Sequence, residues 1–296
     1  MYPNWQAGSG SIKSKQRLLT FEEPMIMGIL NLTDDSFVAS SRIATAELAL
    51  IKAREMFASG ARVIDIGAAS SRPGAQILDS TLELKKLLPA ISLIRSELPD
   101  CWISVDTFRS DVAKLAIEAG ADIINDISGG DIDDTMFELI SDLQVPYICM
   151  HMRGNPTTMQ NLNSYKNLRA EVFQSLQRKI QILASMGIED VIIDPGIGFA
   201  KNSNQNFELL EQTQYFQHLG KPLLLGISRK SFIYKSIGKS AEDALIGTSA
   251  LHWNAIMQGV SMLRVHDVEA AVDIVKLWQA MKSANKLLDD QSNRTF

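Results

Sequence analysis

Short runs of apolar, largely β-branched residues alternate with longer amphipathic stretches along most of the chain. Each run is apolar without interruption, which is typical of strands in a parallel sheet that helices cover on both sides. Eight such runs predict strands at 25–32, 63–68, 102–107, 123–127, 147–152, 191–195, 223–227 and 262–268.

The stretches between these runs carry apolar residues at helical spacing, as in 46–58 and 111–119. Gly60, Gly120 and Gly187 stand where a left-handed residue would end a helix. Eight strand–helix units favour a closed parallel barrel over an open sheet, so we predict a single (β/α)8 TIM barrel over 25–285. Residues 1–24 are predicted to be a polar N-terminal extension, and residues 286–296 a polar tail.

Composition narrows the class further. The 296 residues are 46% apolar and 21% charged, as in a globular protein with a sizeable core. A net charge of −5 gives no electrostatic footprint for nucleic acid or an anionic membrane. No apolar run approaches the roughly 20 residues that span a bilayer, and no secretion signal follows the first basic residues. Cys101 and Cys149 lie in apolar runs, which favours a reducing compartment. We expect a cytoplasmic protein.

Polar side chains concentrate at the carboxyl ends of the predicted strands. In a (β/α)8 barrel these ends converge on one face, where active sites are built. One charged strand end is commonly only the start of a solvated loop, but the same feature in all eight strands predicts a binding site. The residues at these ends are Asn31, Asp65, Asp106, Asn125, His151, Asp194, Lys230, Arg264 and His266.

Most of these residues, together with Arg72, divide into two sets by chemistry. The first combines carboxylates, an amide and an ammonium, which suits a flat polar heterocycle with N–H donors and a carbonyl: Asp106, Asn125, Asp194 and Lys230. The second is separate and mostly cationic, which suits phosphates or a metal-bound diphosphate: Asn31, Arg72, Arg264 and His266.

Three neighbours of these sets have plainer interpretations. Asp65 is expected to brace neighbouring loops, and His151 to be a structural histidine. Arg229 should point away from the side chain of Lys230 by strand alternation, so it is assigned to the surface or to loop bracing.

Seven separated blocks of the chain resemble the dihydropteroate synthases, the folate-pathway enzymes of the pterin-binding barrel family. The resemblance runs from about residue 25 to about residue 278. The blocks are MGILNLTDDSF, DIGAASSRPGA, ISVDTFRSDVAKLAIEAGADIINDISGG, MHMRGNPTTMQ, IIDPGIGFAKNSNQNFELL, LLLGISRKSFI and LRVHDV.

The resemblance implies a reaction of 6-hydroxymethyl-7,8-dihydropterin diphosphate with p-aminobenzoate, which gives 7,8-dihydropteroate and pyrophosphate. It implies pterin binding by Asp106, Asn125, Asp194 and Lys230, and diphosphate binding by Asn31, Arg72, Arg264 and His266. The catalytic set implied in this way comprises Asn31, Arg72, Lys230, Arg264 and His266. The p-aminobenzoate side is implied to include Ser71, Phe199 and Ser231.

The family also implies Mg²⁺ near Asn31, sulfonamide drugs as inhibitors, and a homodimer in which 246–260 could form the interface or be an ordinary barrel helix. The chain departs from the family pattern in two loops and at Ala200, where a glycine is frequent. The residues that differ from the family pattern are Asp34, Ala39, Ser40 and Ser41 in the first loop, and Ala69 and Ser71 in the second. These changes concern loop closure and p-aminobenzoate handling more than pterin binding.

Two alternatives stay open from the residues alone. One is a non-catalytic paralogue that keeps the pterin pocket, and the other is a methyltetrahydrofolate-dependent methyltransferase of the same family. The methyltransferase is disfavoured because methyl transfer does not require the cations in SRKS and RVHDV, and no corrinoid-binding segment is evident. A generic sugar-phosphate barrel is the default from fold alone.

Overall fold

The computed structural model describes residues 10–32, 39–68 and 78–292, with only the backbone described for 39–44 and 285–292. Its main feature is a sheet of eight parallel strands in the order β8-β7-β6-β5-β4-β3-β10-β9. They are β3 (Met25–Asn31), β4 (Val63–Gly67), β5 (Trp102–Asp106), β6 (Ile123–Asp126), β7 (Tyr147–Met150), β8 (Val191–Asp194), β9 (Leu224–Leu225) and β10 (Met262–Val265).

The two edges of this sheet meet. Ile193 of β8 bridges to Leu223 just before β9, and the Ile193 amide donates to the Pro222 carbonyl at 2.9 Å. The predicted (β/α)8 barrel is therefore confirmed, with all eight strands in their predicted regions. Strand β9 is shorter than the apolar run 223–227, because the chain turns away after Leu225.

Nine helices surround the barrel in the described part of the chain. They are α1 (Ala39–Ala58), α2 (Ser80–Glu97), α3 (Ser110–Ala119), α4 (Met136–Leu143), α5 (Leu168–Ser185), α6 (Ser203–Glu211), α7 (Ser231–Ser236), α8 (Leu245–Met257) and α9 (Val268–Ser292). Short 3₁₀ helices occupy Met159–Asn161 and Thr213–Leu219. None of the helices in the described residues is both long and apolar enough to cross a membrane.

Local signals fix where these helices begin and end. The Asn202 side chain accepts from the Gln205 amide while the Gln205 side chain accepts from the Asn202 amide, a capping box that starts α6. Gly120 has a φ of 119° and ends α3, as its position predicted. Helix α9 continues to Ser292, so its backbone extends into the predicted tail at 286–296.

The amino-terminal end of the barrel is closed by a hairpin of β1 (Ser11–Ser14) and β2 (Arg17–Thr20). Its buried side chains Ile12, Leu19 and Phe21 pack against the first inward-facing side chains of the barrel strands. The predicted polar N-terminal extension thus contains two short strands, whose alternation buries an apolar residue beside polar ones. Arg17 pairs with Asp122 at 2.8 Å, which attaches the hairpin to the barrel.

Candidate active site

The carboxyl ends of the strands bring charged and polar side chains together, as predicted. Four of them are almost completely buried: Asp65 of β4, Asp106 of β5, Asn125 of β6 and Asp194 of β8 are 0%, 9%, 4% and 6% exposed. Arg264 enters from β10, and Lys230 directly precedes α7. Charged side chains this deeply buried require partners or a function.

Arg264 is at the centre of this cluster. Its Nε donates to Asp65 Oδ2 at 2.6 Å, and its Nη2 donates to Asp106 Oδ2 at 2.7 Å. Burial alone would lower the pKa of Arg264, but the two carboxylates raise it above its ordinary value. Burial raises the pKa of Asp106, and Arg264 opposes that shift. The structure therefore joins the two sets that the sequence separated, because Arg264 lies among the carboxylates.

Asp65 holds two site residues in place. The Asp65 Oδ2 that binds Arg264 also accepts from Asn125 Nδ2 at 3.1 Å. Its Oδ1 is buried without a hydrogen-bond partner among the described residues. Asp65 thus braces side chains of the site rather than loops, a role that sequence reasoning missed. A carboxylate in the middle of an apolar strand was the available signal.

Asp194 and Lys230 face each other across the next part of the ring. Asp194 Oδ1 accepts from the Gly196 amide at 2.7 Å, while Oδ2 has no hydrogen-bond partner within the described residues. Burial raises the pKa of Asp194, and Lys230 is among the groups that oppose the shift. Burial has the opposite effect on a cation: it lowers the pKa of Lys230 to about 8, and Asp194 opposes this shift.

The Lys230 ammonium already has two partners. It donates to the Ile197 carbonyl and lies 4.3 Å from the centre of the Phe199 ring, a cation–π contact. The loop after β8 therefore forms one wall of the site and fixes where this ammonium points.

The remaining predicted residues lie at the solvent side of the same face. His266 is exposed, and both its amide and its Nδ1 lie 3.1 Å from Ser228 Oγ. Ser231 is exposed at the start of α7, and Asn31 is exposed at the end of β3. Phe199 is half-buried. The structure thus places every described member of the predicted set on one end of the barrel.

The interpretations of Arg229 and His151 can also be compared with the structure. Arg229 pairs with both Asp267 oxygens at 2.8 and 2.7 Å, which confirms loop bracing. Its φ of 54° shows that a left-handed turn, and not strand alternation, directs it away from Lys230. His151 Nδ1 lies 3.1 Å from Lys201 Nζ, so it is a structural histidine as expected.

Some predicted positions lie outside the described residues. These are Ser71, Arg72 and Ala69 in the second loop and Asp34 in the first, whereas Ala39, Ser40 and Ser41 are described only as backbone of α1. The departure at Ala200 has a clear physical meaning. Its φ is 50°, a left-handed conformation that glycine adopts without strain.

The site can accommodate a divalent cation only in a particular way. Among the described residues, no three acidic, histidine or cysteine side chains are grouped to hold a metal. Gly67 brings no side chain up to the Asn31 oxygen, whereas a Cβ there would be in van der Waals contact with Asn31 Oδ1 at 3.5 Å and Asp106 Cβ at 3.4 Å. Mg²⁺ commonly takes one or two protein oxygens and completes its shell with substrate phosphates and water. Asn31 fits that role.

Comparison with known proteins decides the family. A family model described as "Pterin binding enzyme" matches residues 27–266. The chain is also 42% identical over 259 residues to dihydropteroate synthase of Synechocystis sp., covering 86% of this chain and 89% of that protein. The chain belongs to the dihydropteroate synthase family of pterin-binding enzymes.

Solved structures of this family share the fold. Dihydropteroate synthase of Yersinia pestis, solved with a sulfonamide drug complex, has a TM-score of 0.86 and 33% identity, covering 93% of this chain and all (100%) of that chain. The enzyme of Xanthomonas albilineans in complex with 7,8-dihydropteroate has a TM-score of 0.82 and 33% identity, covering 92% and 99%. The relatives favour the synthase over the methyltransferase alternative.

Proposed function

We propose that this chain condenses 6-hydroxymethyl-7,8-dihydropterin diphosphate with p-aminobenzoate to give 7,8-dihydropteroate and pyrophosphate. The observation that carries the proposal is the ring at one end of the barrel in which the buried Asp194, Asp106 and Asn125 lie with the half-buried Lys230. Family membership and the product complex of the Xanthomonas relative support the same substrate.

The ring matches the hydrogen-bonding edge of a pterin. One edge presents a 2-amino group and an adjacent ring N–H, and a carboxylate such as Asp194 accepts both. On the other side, Lys230 would keep one N–H on the Ile197 carbonyl and donate the other two to the ring carbonyl and N5. Asp106 and Asn125 would contact the remaining ring nitrogens while Arg264 and Asp65 hold them in position.

Charge balance indicates what the diphosphate requires. Among the described residues, this ring combines three buried carboxylates, Asp65, Asp106 and Asp194, with two cations, Arg264 and Lys230. Such a ring offers no surplus positive charge to an anion, so the diphosphate needs further cations at the rim. We assign this role to His266, which is exposed at that end of the barrel, and, from the resemblance, to Arg72.

Asn31 is the residue that would hold Mg²⁺, together with the substrate's own phosphate oxygens. The ion would supply charge neutralisation to the leaving pyrophosphate. The protein residues then position the pterin methylene group, orient the diphosphate toward the rim and exclude competing water.

The bond changes need no covalent enzyme intermediate. The bond between the methylene carbon and the diphosphate oxygen breaks, and its electron pair leaves with pyrophosphate. The electron-rich ring delocalises the positive charge until the amine of p-aminobenzoate forms the new C–N bond and loses a proton. Burial raises the pKa of both cysteines, Cys101 and Cys149, to about 12, so neither is a thiolate nucleophile at neutral pH.

We place p-aminobenzoate beside Phe199 and Ser231, with Ser71 contributing from the second loop. Phe199 lies directly under the Lys230 ammonium, so the two substrates would share this wall. Sulfonamides resemble p-aminobenzoate, and by analogy with the Yersinia relative we expect them to compete at this position.

We further propose a cytoplasmic homodimer. The two free cysteines are consistent with a reducing compartment. Helix α8 turns Thr248, His252 and Ile256 toward the barrel. It leaves Ile246 81% exposed, and Leu277 of the neighbouring α9 is 62% exposed. A second copy would cover this apolar face, and sedimentation velocity would test it by showing a dimer.

The decisive experiment is an assay of purified protein with both substrates and Mg²⁺. We expect 7,8-dihydropteroate and pyrophosphate in equal amounts, identified by mass spectrometry and a coupled phosphate assay. Pterin diphosphate binding without product at any p-aminobenzoate concentration would instead establish the non-catalytic paralogue.

A further inference from the structure

A buried lysine lies beneath the loop after β8 and is not used by the proposed reaction. Lys201 is 4% exposed. Its Nζ donates to the carbonyls of Gly196 and Phe199, both at 2.9 Å, and lies 3.1 Å from His151 Nδ1. Three acceptors match the three N–H groups of an ammonium. When Lys201 is protonated its ammonium only donates, so His151 Nδ1 is then the acceptor and the ring carries its proton on Nε2. Burial lowers the pKa of Lys201 to about 7, and Asp194 opposes that shift.

The loop above Lys201 has a demanding backbone. Gly196, Gly198 and Ala200 have φ values of 69°, 86° and 50°, all in the left-handed region. One backbone bond, from the Phe199 amide to the Gly196 carbonyl at 3.1 Å, spans this path, and side chains add further contacts. Asn206 accepts from the Gly198 amide at 2.6 Å, and Lys201 binds carbonyls at both ends of the segment.

The same segment positions Lys230. The Ile197 carbonyl accepts from the Lys230 ammonium, and the Phe199 ring lies 4.3 Å from it. Ile197 lies between Gly196 and Phe199, the two residues whose carbonyls bind Lys201. An ammonium that fixes this backbone therefore also fixes the acceptor and the ring that aim Lys230.

We propose that Lys201 is a positioning residue that preorganises the 196–200 loop so that Lys230 and Phe199 are aligned for their substrates. The part of this inference that concerns pterin diphosphate rests on the proposed function. The part that concerns the loop rests on the contacts alone, so the two can be tested separately.

The first test compares Lys201→Met with Lys179→Met. Lys179 is also buried, 7% exposed, and donates to the Ser128 carbonyl and Asp131 Oδ2, both at 2.8 Å. Both variants lose a buried ammonium, so both should be less stable. We expect calorimetry to show at least a tenfold higher Kd for pterin diphosphate in Lys201→Met, and a change within twofold in Lys179→Met. A change within twofold in both would overturn the proposal.

A double-mutant cycle tests the route through Lys230. If Lys201 acts by aiming Lys230, then Lys201→Met should raise the Kd less than threefold in a Lys230→Ala background. An equal factor in both backgrounds would mean that Lys201 contributes only general stability, and the proposal would fail.

Two further measurements keep the proposal testable. A milder variant serves if Lys201→Met folds poorly, and a measurement without ligand serves if the proposed function is wrong. His151→Leu removes one acceptor of Lys201, whereas His151→Asn keeps an acceptor near Nδ1, so the Leu variant should lose more affinity for pterin diphosphate.

Without ligand, hydrogen exchange at the Gly196 and Gly198 amides should be at least tenfold faster in His151→Leu and Lys201→Met than in Lys179→Met. Unchanged exchange overturns the role of Lys201. A wild type that binds no pterin diphosphate overturns the proposed function, while the exchange rates still decide the loop.

Discussion

At the amino-terminal end of the barrel the inward side chains are Met25, Trp102, Met262 and their neighbours, sealed by the apolar side of the hairpin. At the carboxyl end the same strands present Asp65, Asp106 and Asp194, buried almost as deeply, together with the half-buried Arg264. Burial of apolar groups is favourable, whereas burial of these charges costs free energy that partners offset only in part. The comparison teaches that one end stabilises the fold and the other retains costly groups for binding.

The largest expected effect comes from Asp194→Asn. The amide places a donor against one pterin N–H and leaves buried donors unpaired, at about 1–3 kcal/mol for each group. We expect the rate of dihydropteroate formation to fall about 100-fold or more, measured at saturating p-aminobenzoate. Since burial raises the pKa of Asp194, the neutral amide should leave the melting temperature equal or higher. Near-normal turnover would contradict the assignment of pterin binding to the carboxyl end of the barrel.

The opposite end should respond in the opposite way. Ile12 is 1% exposed within the hairpin cluster. Ile12→Ala should reduce the free energy of unfolding by about 2–4 kcal/mol, measured by urea denaturation. Because Ile12 is far from the strand carboxyl ends, kcat should stay within twofold of wild type at 25 °C. A large loss of kcat in folded protein would show that the two ends are not separable.

The pH dependence sharpens the comparison at Lys230. Burial lowers its pKa to about 8, so the ammonium is lost as the pH rises through 8 and its charge-assisted hydrogen bonds to the pterin are lost with it. The kcat/KM for pterin diphosphate should therefore fall above about pH 8. Lys230→Arg keeps its charge at every accessible pH, so this alkaline limb should move upward. If kcat/KM of Lys230→Arg falls at the same pH as in the wild type, a group other than Lys230 causes the fall.

The smallest effect is expected at Ala200. A left-handed conformation costs an L residue about 1–2 kcal/mol, part of which is offset because glycine is more flexible in the unfolded chain. Ala200→Gly should raise the free energy of unfolding by about 0.5 kcal/mol, measured by denaturant titration. A loss of stability would show that contacts of the Ala200 methyl group outweigh the backbone strain.

Sequence patterns predicted the regular parts of this molecule better than its connections. Uninterrupted apolar runs predicted eight strands, and strand ends predicted Asp106, Asn125, Lys230 and Arg264 on one face. The role of Asp65 could not be found in the same way, because its partner Arg264 lies 199 positions further along the chain. Lys201 gave no signal at all, since a lysine in a polar loop is ordinarily exposed. The hairpin was missed because two four-residue strands carry too short a pattern.

The central claim, that the polar end binds pterin diphosphate and the apolar end does not, is tested most directly by ligand-induced thermal shifts. A ligand at about 100 times its Kd should raise the melting temperature of the wild type by about 5 °C. The account predicts the same shift in Ile12→Ala, starting from a lower melting temperature, and almost no shift in Asp194→Asn. A full shift in Asp194→Asn, or its loss in Ile12→Ala, would contradict the account.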